Sequence, residues 1–322
     1  MEFFTKANID FLGKRRVFLV LSLVFNIVGI LVTAMFGLEY GIDFEGGTEI
    51  AVQIQPPPEV GEIRAAIGAA GFHGAEIKSY GRPNQFLIRV KESSGQTEPS
   101  TAILTALRER FQDRQLTLLK SDKVGPKIGA EMRLNAAIAV VISIVAILLY
   151  IAFRFEFIYG LGATVALVHD VIVAISAIAI VHHLGLLRIE VNQSVLAALL
   201  TVVGFSVNDT VIIFDRIREN RERHKGMNLI KLMNLSINET LSRTINTVLT
   251  VVLVLLALLI LGGEVLQGFA FTMLVGILTG TYSSIYIASA FVIWFLEKVR
   301  KVDLEGEYRR LKELERQAAV QT

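Results

Sequence analysis

An aspartate stands at position 209, inside the apolar run GFSVNDTVIIFDRIREN (204–220) and six residues before Asp215, where charge resumes. An ionisable side chain at mid-bilayer costs about 2.5–3.5 kcal/mol on insertion scales, and such groups mark ion or substrate pathways. At a rise of about 1.5 Å per residue, Asp209 lies roughly 9 Å inside the run. Arg243 opens a later apolar run at the far end of the intervening charged stretch. The two sit at comparable depth, so a pair is geometrically possible. Asn208 and Thr210 flank the aspartate and can bind water or hydrogen-bond across helices. The chemistry on offer is reversible protonation: burial favours the neutral carboxyl group and a neighbouring guanidinium favours the carboxylate. The competing reading is a structural ion pair pinning two helices. Asp170 is a second intramembrane acid and follows His169. A histidine beside it suggests proton transfer. Adjacent helical residues point about 100° apart, however, and a helix-packing hydrogen bond explains Asp170 at least as well. His182 and His183 read as interfacial.

These residues need helices to hold them. The chain has 322 residues, 53% of them hydrophobic, and its mean hydropathy of +0.55 is too high for an ordinary soluble protein. The net charge is only +2, and there are no cysteines, which excludes disulfides and thiolate chemistry. Six apolar runs, near 17–37, 134–153, 158–181, 192–214, 244–262 and 268–296, are long enough to span a bilayer as helices. The first follows Lys14-Arg15-Arg16 and has no small-residue cleavage site, so it reads as a retained anchor. Lysine and arginine crowd the segments before span 1, between spans 4 and 5, and after span 6. By the positive-inside rule both termini are cytoplasmic. The expected organisation is a cytoplasmic N-terminus with span 1 (1–37), an extracytoplasmic domain (38–132), spans 2–6 (133–298) with a cytoplasmic loop at 215–240, and a cytoplasmic tail (299–322). Span 6 carries Gly276, Gly280, Ser284 and Ala288 at every fourth position, a pattern that permits close helix approach.

The segment 38–132 holds all six prolines and no spanning run. Alternation marks strands at Thr48–Ile54, Ala75–Tyr80, Gln85–Val90 and Gln115–Ser121. Helical spacing marks Val60–Ala70 and Thr101–Phe111, and Gly81–Asn84 reads as a turn. The order βαββαβ predicts an α+β, ferredoxin-like sandwich. No phosphate-cradling loop or metal-ligand cluster is visible, so no cofactor is expected, and the lack of a Walker motif argues against ATP hydrolysis.

Several motifs, in order, carry a family resemblance: GIDFEGGT (41–48), ALVHD (166–170), VGFSVNDTVIIFDRIREN (203–220), NETLSRT (238–244) and GTYSSIYIAS (280–289). On these the chain resembles the SecF family of protein-export membrane subunits, within the resistance–nodulation–division superfamily. The resemblance implies a non-enzymatic subunit of the bacterial plasma membrane. It would pair with SecD and draw preproteins through the SecYEG channel, powered by an ion gradient, with H⁺ as coupling ion and Na⁺ as the alternative. The family's key aspartate and arginine map onto Asp209 and Arg243. Only the SecF half is present, so a site needing a SecD carboxylate is incomplete here. Two rival readings are a stand-alone small-molecule exporter of the same superfamily and an intramembrane serine protease using Ser206 with His169. The first would have only half of the usual twelve helices. The second lacks the closing glycine of a nucleophile elbow, since position 208 is Asn.

Overall fold

The computed structural model describes residues 8–90 and 98–321. In chain order the elements are α1 (Arg15–Phe36), α2 (Ile42–Glu45), β1 (Gly47–Gln55), α3 (Val60–Ala69), β2 (Glu76–Tyr80), β3 (Arg82–Val90), α4 (Pro99–Arg110), β4 (Gln115–Val124), α5 (Pro126–Arg154), α6 (Phe157–His183), α7 (Gln193–Arg223), α8 (Leu229–Leu261), α9 (Gly263–Ser283), α10 (Ser289–Lys298) and α11 (Leu304–Gln321). Among the described residues six helical spans are long and apolar enough to cross a membrane, so the chain is a multi-pass membrane protein. They are α1, α5, α6, α7, α8, and α9 joined to α10 through a π-helical turn at Ser284–Ala288. All their backbone groups can be satisfied within the segment, as hydrocarbon demands. The sixth span, α6 and α7 are the most buried, while α1, α5 and α8 lie outside them.

The chain segment between the first two spans forms a four-stranded antiparallel sheet of order β2-β3-β1-β4. Alternation gives each strand two different faces. Ile50, Val52 and Ile54 of β1 and Phe86 and Ile88 of β3 pack with Ile63 and Ile67 of α3 and Ile103 and Leu107 of α4. Each such fully buried aliphatic side chain contributes about 1.5–3 kcal/mol. The other sheet face carries Glu49, Glu76, Lys78 and Arg89.

Several boundaries differ from the sequence expectation, and three of them have a clear physical reason. Strand β3 begins at Arg82, so Gly81, with φ of 78°, turns the chain almost alone; Pro83 is tolerated at the start of a strand. Helix α5 begins at Pro126 rather than near 134, because proline pre-sets the first helical φ. The stretch 215–240, expected as a loop, is helical except for residues 224–228. None of its charged residues is buried, while Ile217 of α7 and Ile230, Met233 and Ile237 of α8 are. Asn228 caps α8 by accepting from the Ile230 N–H at 3.0 Å.

At the end of the bundle far from the sheet, a polar collar closes the structure. Asp10 accepts from Asn234, from the Tyr308 hydroxyl and from Lys312. Burial pushes the Asp10 carboxyl up, but hydrogen bonds from Lys312, Tyr308 and the Gly13 N–H, with the Lys312 charge, outweigh it and hold it below the usual carboxylate range. At the sheet end, the stem depends on glycine. Gly46 has a φ of 80°, and a Cβ there would lie 2.8 Å from the Pro126 Cα.

Candidate functional site

Asp209 comes from the middle of α7 and is 1% exposed. Its carboxylate accepts a hydrogen bond from the Thr281 hydroxyl of α9 at 3.0 Å. Thr210, beside it, meets Ser284 of the π-turn at 2.7 Å. The helices approach this closely because the small residues of the sixth span face α7. Gly276 meets Val202, Gly280 meets Ser206 and Ser284 meets Thr210. Farther along the same row, Ala288 meets Gly162 of α6. The stripe at every fourth position is therefore a packing seam.

Asp170, also 1% exposed, lies in α6 against the same seam. It accepts from the Ser206 hydroxyl at 2.6 Å and from the Ser283 hydroxyl at 2.7 Å. Its other oxygen bonds to Nδ1 of His169 at 2.9 Å, and Nε2 of His169 bonds to Ser22 of α1. A carboxylate at 170 requires an Nδ1–H donor, which leaves Nε2 of a neutral imidazole to accept from Ser22. One buried acid thus ties four spans together. Asp170 and His169 do share this network, although successive helical residues diverge. Ser206 and His169 are both bonded to Asp170, with the carboxylate between them. A nucleophile–base pair needs the imidazole on the hydroxyl, so the geometry does not build a serine protease.

Arg243 takes a different place. Its side chain is exposed, and among the described residues no ion pair joins it to Asp209. Asn208 is also exposed, and with Thr201 and Gly204 it forms an outward stripe on α7. Arg243 and Thr250, with partly covered Asn246 and Thr247, form a matching stripe on α8.

A second polar cluster lies between the helix-free face of the sheet and the 184–192 connection. Glu190 pairs with Lys78 and Arg89. Arg89 also reaches Glu49 at 3.0 Å, and Lys78 reaches Glu76 at 2.9 Å. Burial alone would raise the Glu190 carboxyl, but hydrogen bonds from Arg89 and Lys78 hold it below the usual range. The same contacts outweigh burial for the two bases and raise both. A cleft of about 320 Å³ opens beside them. Glu39, Glu76 and Glu190 bring carboxylate oxygens within 4.8 Å of one another. Lys78 and Arg89 already supply the positive charge a cation would bring. The sequence reading missed this cluster, because nothing local links Glu190 to bases 101 and 112 residues away.

Residues 103–298 match the family model described as protein export membrane protein SecD/SecF, C-terminal, and residues 32–58 match the SecD/SecF GG motif. The protein translocase subunit SecF of Gemmatimonas aurantiaca is 39% identical over 320 residues, covering 97% of this chain and 91% of the relative. The chain belongs to the SecF family. The SecF subunit of Pseudomonas aeruginosa is 36% identical, covering 89% of this chain and 92% of its own. Among solved structures, the translocon-associated membrane protein SecDF of Thermus thermophilus is 37% identical with a TM-score of 0.79; the match covers 92% of this chain and 40% of that one. A super-membrane-facing form of SecDF matches at 36% identity and a TM-score of 0.67. This SecF-family chain thus spans about two fifths of the SecDF polypeptides. Its GG motif contains the stem glycine Gly46, whose packing against Pro126 gives that motif a steric reason.

Proposed function

We propose that the chain is a SecF-type subunit of the bacterial Sec export machinery. It pairs with a SecD-type partner in the plasma membrane and uses the transmembrane ion gradient to promote preprotein passage through a SecYEG channel. The observation that carries the reading is the outward polar stripe on α7 and α8 beside the buried Asp209. Arg243 and Asn208 facing lipid would be costly, so a second membrane subunit belongs on that face. The relatives' printed role and the SecDF match support the same conclusion. The positive-inside pattern supports an orientation with both termini in the cytoplasm and the 38–132 segment outside. The strand order β2-β3-β1-β4, with α3 and α4 on one face, supports reading that segment as a self-contained ferredoxin-like domain.

Asp209 is the ion carrier in this reading and Arg243 sets its charge, with Asn208, Thr210 and Asp170 assisting. Among the described residues Asp209 has one hydroxyl partner rather than a cage of oxygens, which favours H⁺ over Na⁺. Moving one charge through the membrane potential supplies about 2.3 kcal/mol per 100 mV, enough to bias a helix rearrangement. The test is preprotein release from vesicles containing the assembled complex, driven by a proton or a sodium gradient. Asp209→Asn should abolish gradient-driven release and leave assembly intact. Full release in that variant would sink the ion-carrier role.

A further inference from the structure

The geometry points to Glu190 as the coupling contact that transmits movement of α7 to the outer domain, acting as a releasable ionic latch on the open face of its sheet. The inference rests on the export reading above and deepens it by naming the connection between the ion site and the domain that site would move.

The domain is held to the bundle in two distinct ways. Its stem is fixed by backbone. The Gly41 N–H donates to the Val191 carbonyl at 2.9 Å, and the Val191 N–H donates to the Glu39 carbonyl at 2.7 Å. Gly46 and Gly129 pack the stem against the start of α5 with no room for a Cβ. Such contacts are short-ranged and suit a pivot. Away from the stem, the sheet is held by charge. Glu190 projects from the connection and engages Lys78 on β2 and Arg89 on β3. These three side chains are only 13–14% exposed, so water and salt screen them less than surface charges.

Glu190 is also placed to feel α7. It lies two residues before Asn192, whose side chain caps α7 by accepting from the Val195 N–H at 3.0 Å. Asp209 lies on that same helix about 25 Å further along. Any axial shift or tilt of α7 moves its cap, and with it Glu190. Lys78 and Arg89 do not lose all their partners when the latch opens. Glu76 and Glu49 already hold them from within the sheet. Release therefore strands no buried base, which makes the latch reversible rather than a permanent clamp.

Because the chain has no cysteine, an introduced one reports its own site alone. Leu87 lines the cleft beneath the latch, and Ala66 lies on the core-facing side of α3. In the full-length chain in nanodiscs, where both membrane faces are open to reagent, Glu190→Gln should speed maleimide labelling of Leu87→Cys. The expected rise is about tenfold, equivalent to a latch weakened by about 1.4 kcal/mol. Ala66→Cys should stay protected. An unchanged rate at Leu87→Cys, or a rise at both positions, overturns the latch. In export vesicles Glu190→Gln should lose most of the gradient-driven release. Normal release in Glu190→Gln alongside failure in Asp209→Asn would refute the coupling contact alone. Normal release in Asp209→Asn would refute the ion-site reading, whatever the latch does.

Discussion

Gly280→Ala places a methyl group where α9 meets α7. Its Cβ would lie 2.9 Å from the Ser206 Cβ and 3.2 Å from the Ser206 Cα, against about 3.5–4.0 Å for relaxed carbon contacts. Ser206 is 1% exposed and its backbone belongs to a buried helix, so it has nowhere to go. The α9 segment must retreat by about 0.6 Å to reach the short end of that range. The Thr281–Asp209 bond starts at 3.0 Å, and the same retreat carries it to about 3.6 Å, beyond a real hydrogen bond. Overpacking costs about 1–3 kcal/mol, and losing a hydrogen bond to a charged group adds about 1.5–3 kcal/mol. The helix-propensity gain of alanine over glycine returns at most about 1 kcal/mol. Gly204→Ala is the matched control, since a Cβ there meets nothing within 4 Å; it should stabilise the isolated chain by about 0.5–1 kcal/mol. The assay is thermal unfolding of the purified chain in detergent, followed by gradient-driven release in vesicles. Gly280→Ala should melt below wild type and lose export, while Gly204→Ala should melt at or above wild type. The reverse order would refute the claim that the α7–α9 seam fixes the Asp209 site.

Removing the whole acceptor in Asp170→Ala strands three donors and should destabilise the chain by about 1–3 kcal/mol for each donor left unsatisfied, whereas Asp170→Asn, which keeps an acceptor, should cost about 1 kcal/mol; unfolding midpoints will separate the two. Arg243→Met should leave the isolated chain's stability within about 0.5 kcal/mol, as expected for an exposed side chain with no ion pair among the described residues, while reducing gradient-driven release. Asn208→Leu combined with Asn246→Leu should be neutral for the isolated chain but weaken co-purification with a SecD-type subunit; undiminished co-purification would move the partner to another face. Acid should open the latch: the folded Glu190 carboxyl is depressed below its ordinary 4.5, so its contribution is complete above that value and is lost as pH falls through the lower folded value. Because the thiolate fraction falls with pH, Leu87→Cys labelling is read as its ratio to the same cysteine in a Glu190→Gln background at each pH; that ratio should be flat from neutral pH down to the ordinary carboxylate range and rise towards one below it, and a rise beginning near neutrality would contradict that sign.

What could be read from the chain follows the range of each signal. Hydrophobic runs and strand alternation are local, and they located six spans and the βαββαβ order. The four-residue spacing of Gly276, Gly280 and Ser284 is local too, and it did mark a packing seam. The partners of the buried acids are not local. Thr281 and Ser283 sit 72 and 113 residues from the groups they bond, and a serine in an apolar helix looks the same whether it faces a carboxylate or its own backbone. The end of α7 and the start of α8 look like loop because their charge density masks the periodicity, although Ile230, Met233 and Ile237 recur at helical spacing. Asp209 and Arg243 were legible as unusual residues. That one is buried and the other faces outward depends on the rotation of α7 and α8 in the bundle, which composition does not fix.

The π-turn at Ser284–Ala288 has a consequence for how the sixth span tolerates change in length. The turn is π-helical, with the Ser289 hydroxyl also donating to the Ser284 carbonyl five residues back, so it accommodates one more residue than an α-helical turn would. Before it, the small residues address α7; at its end, Ala288 addresses α6. Deleting one residue from the turn, Tyr286 for example, would restore α-helical phase and swing everything beyond it by about 100° around the axis. Buried Val292 and Ile293 would then turn away from their neighbours while the residues around Asp209 stayed in place. The span is therefore two independently aimed rods spliced by an inserted residue, and the splice lets one helix serve two neighbours that a continuous helix of the same sequence could not face together.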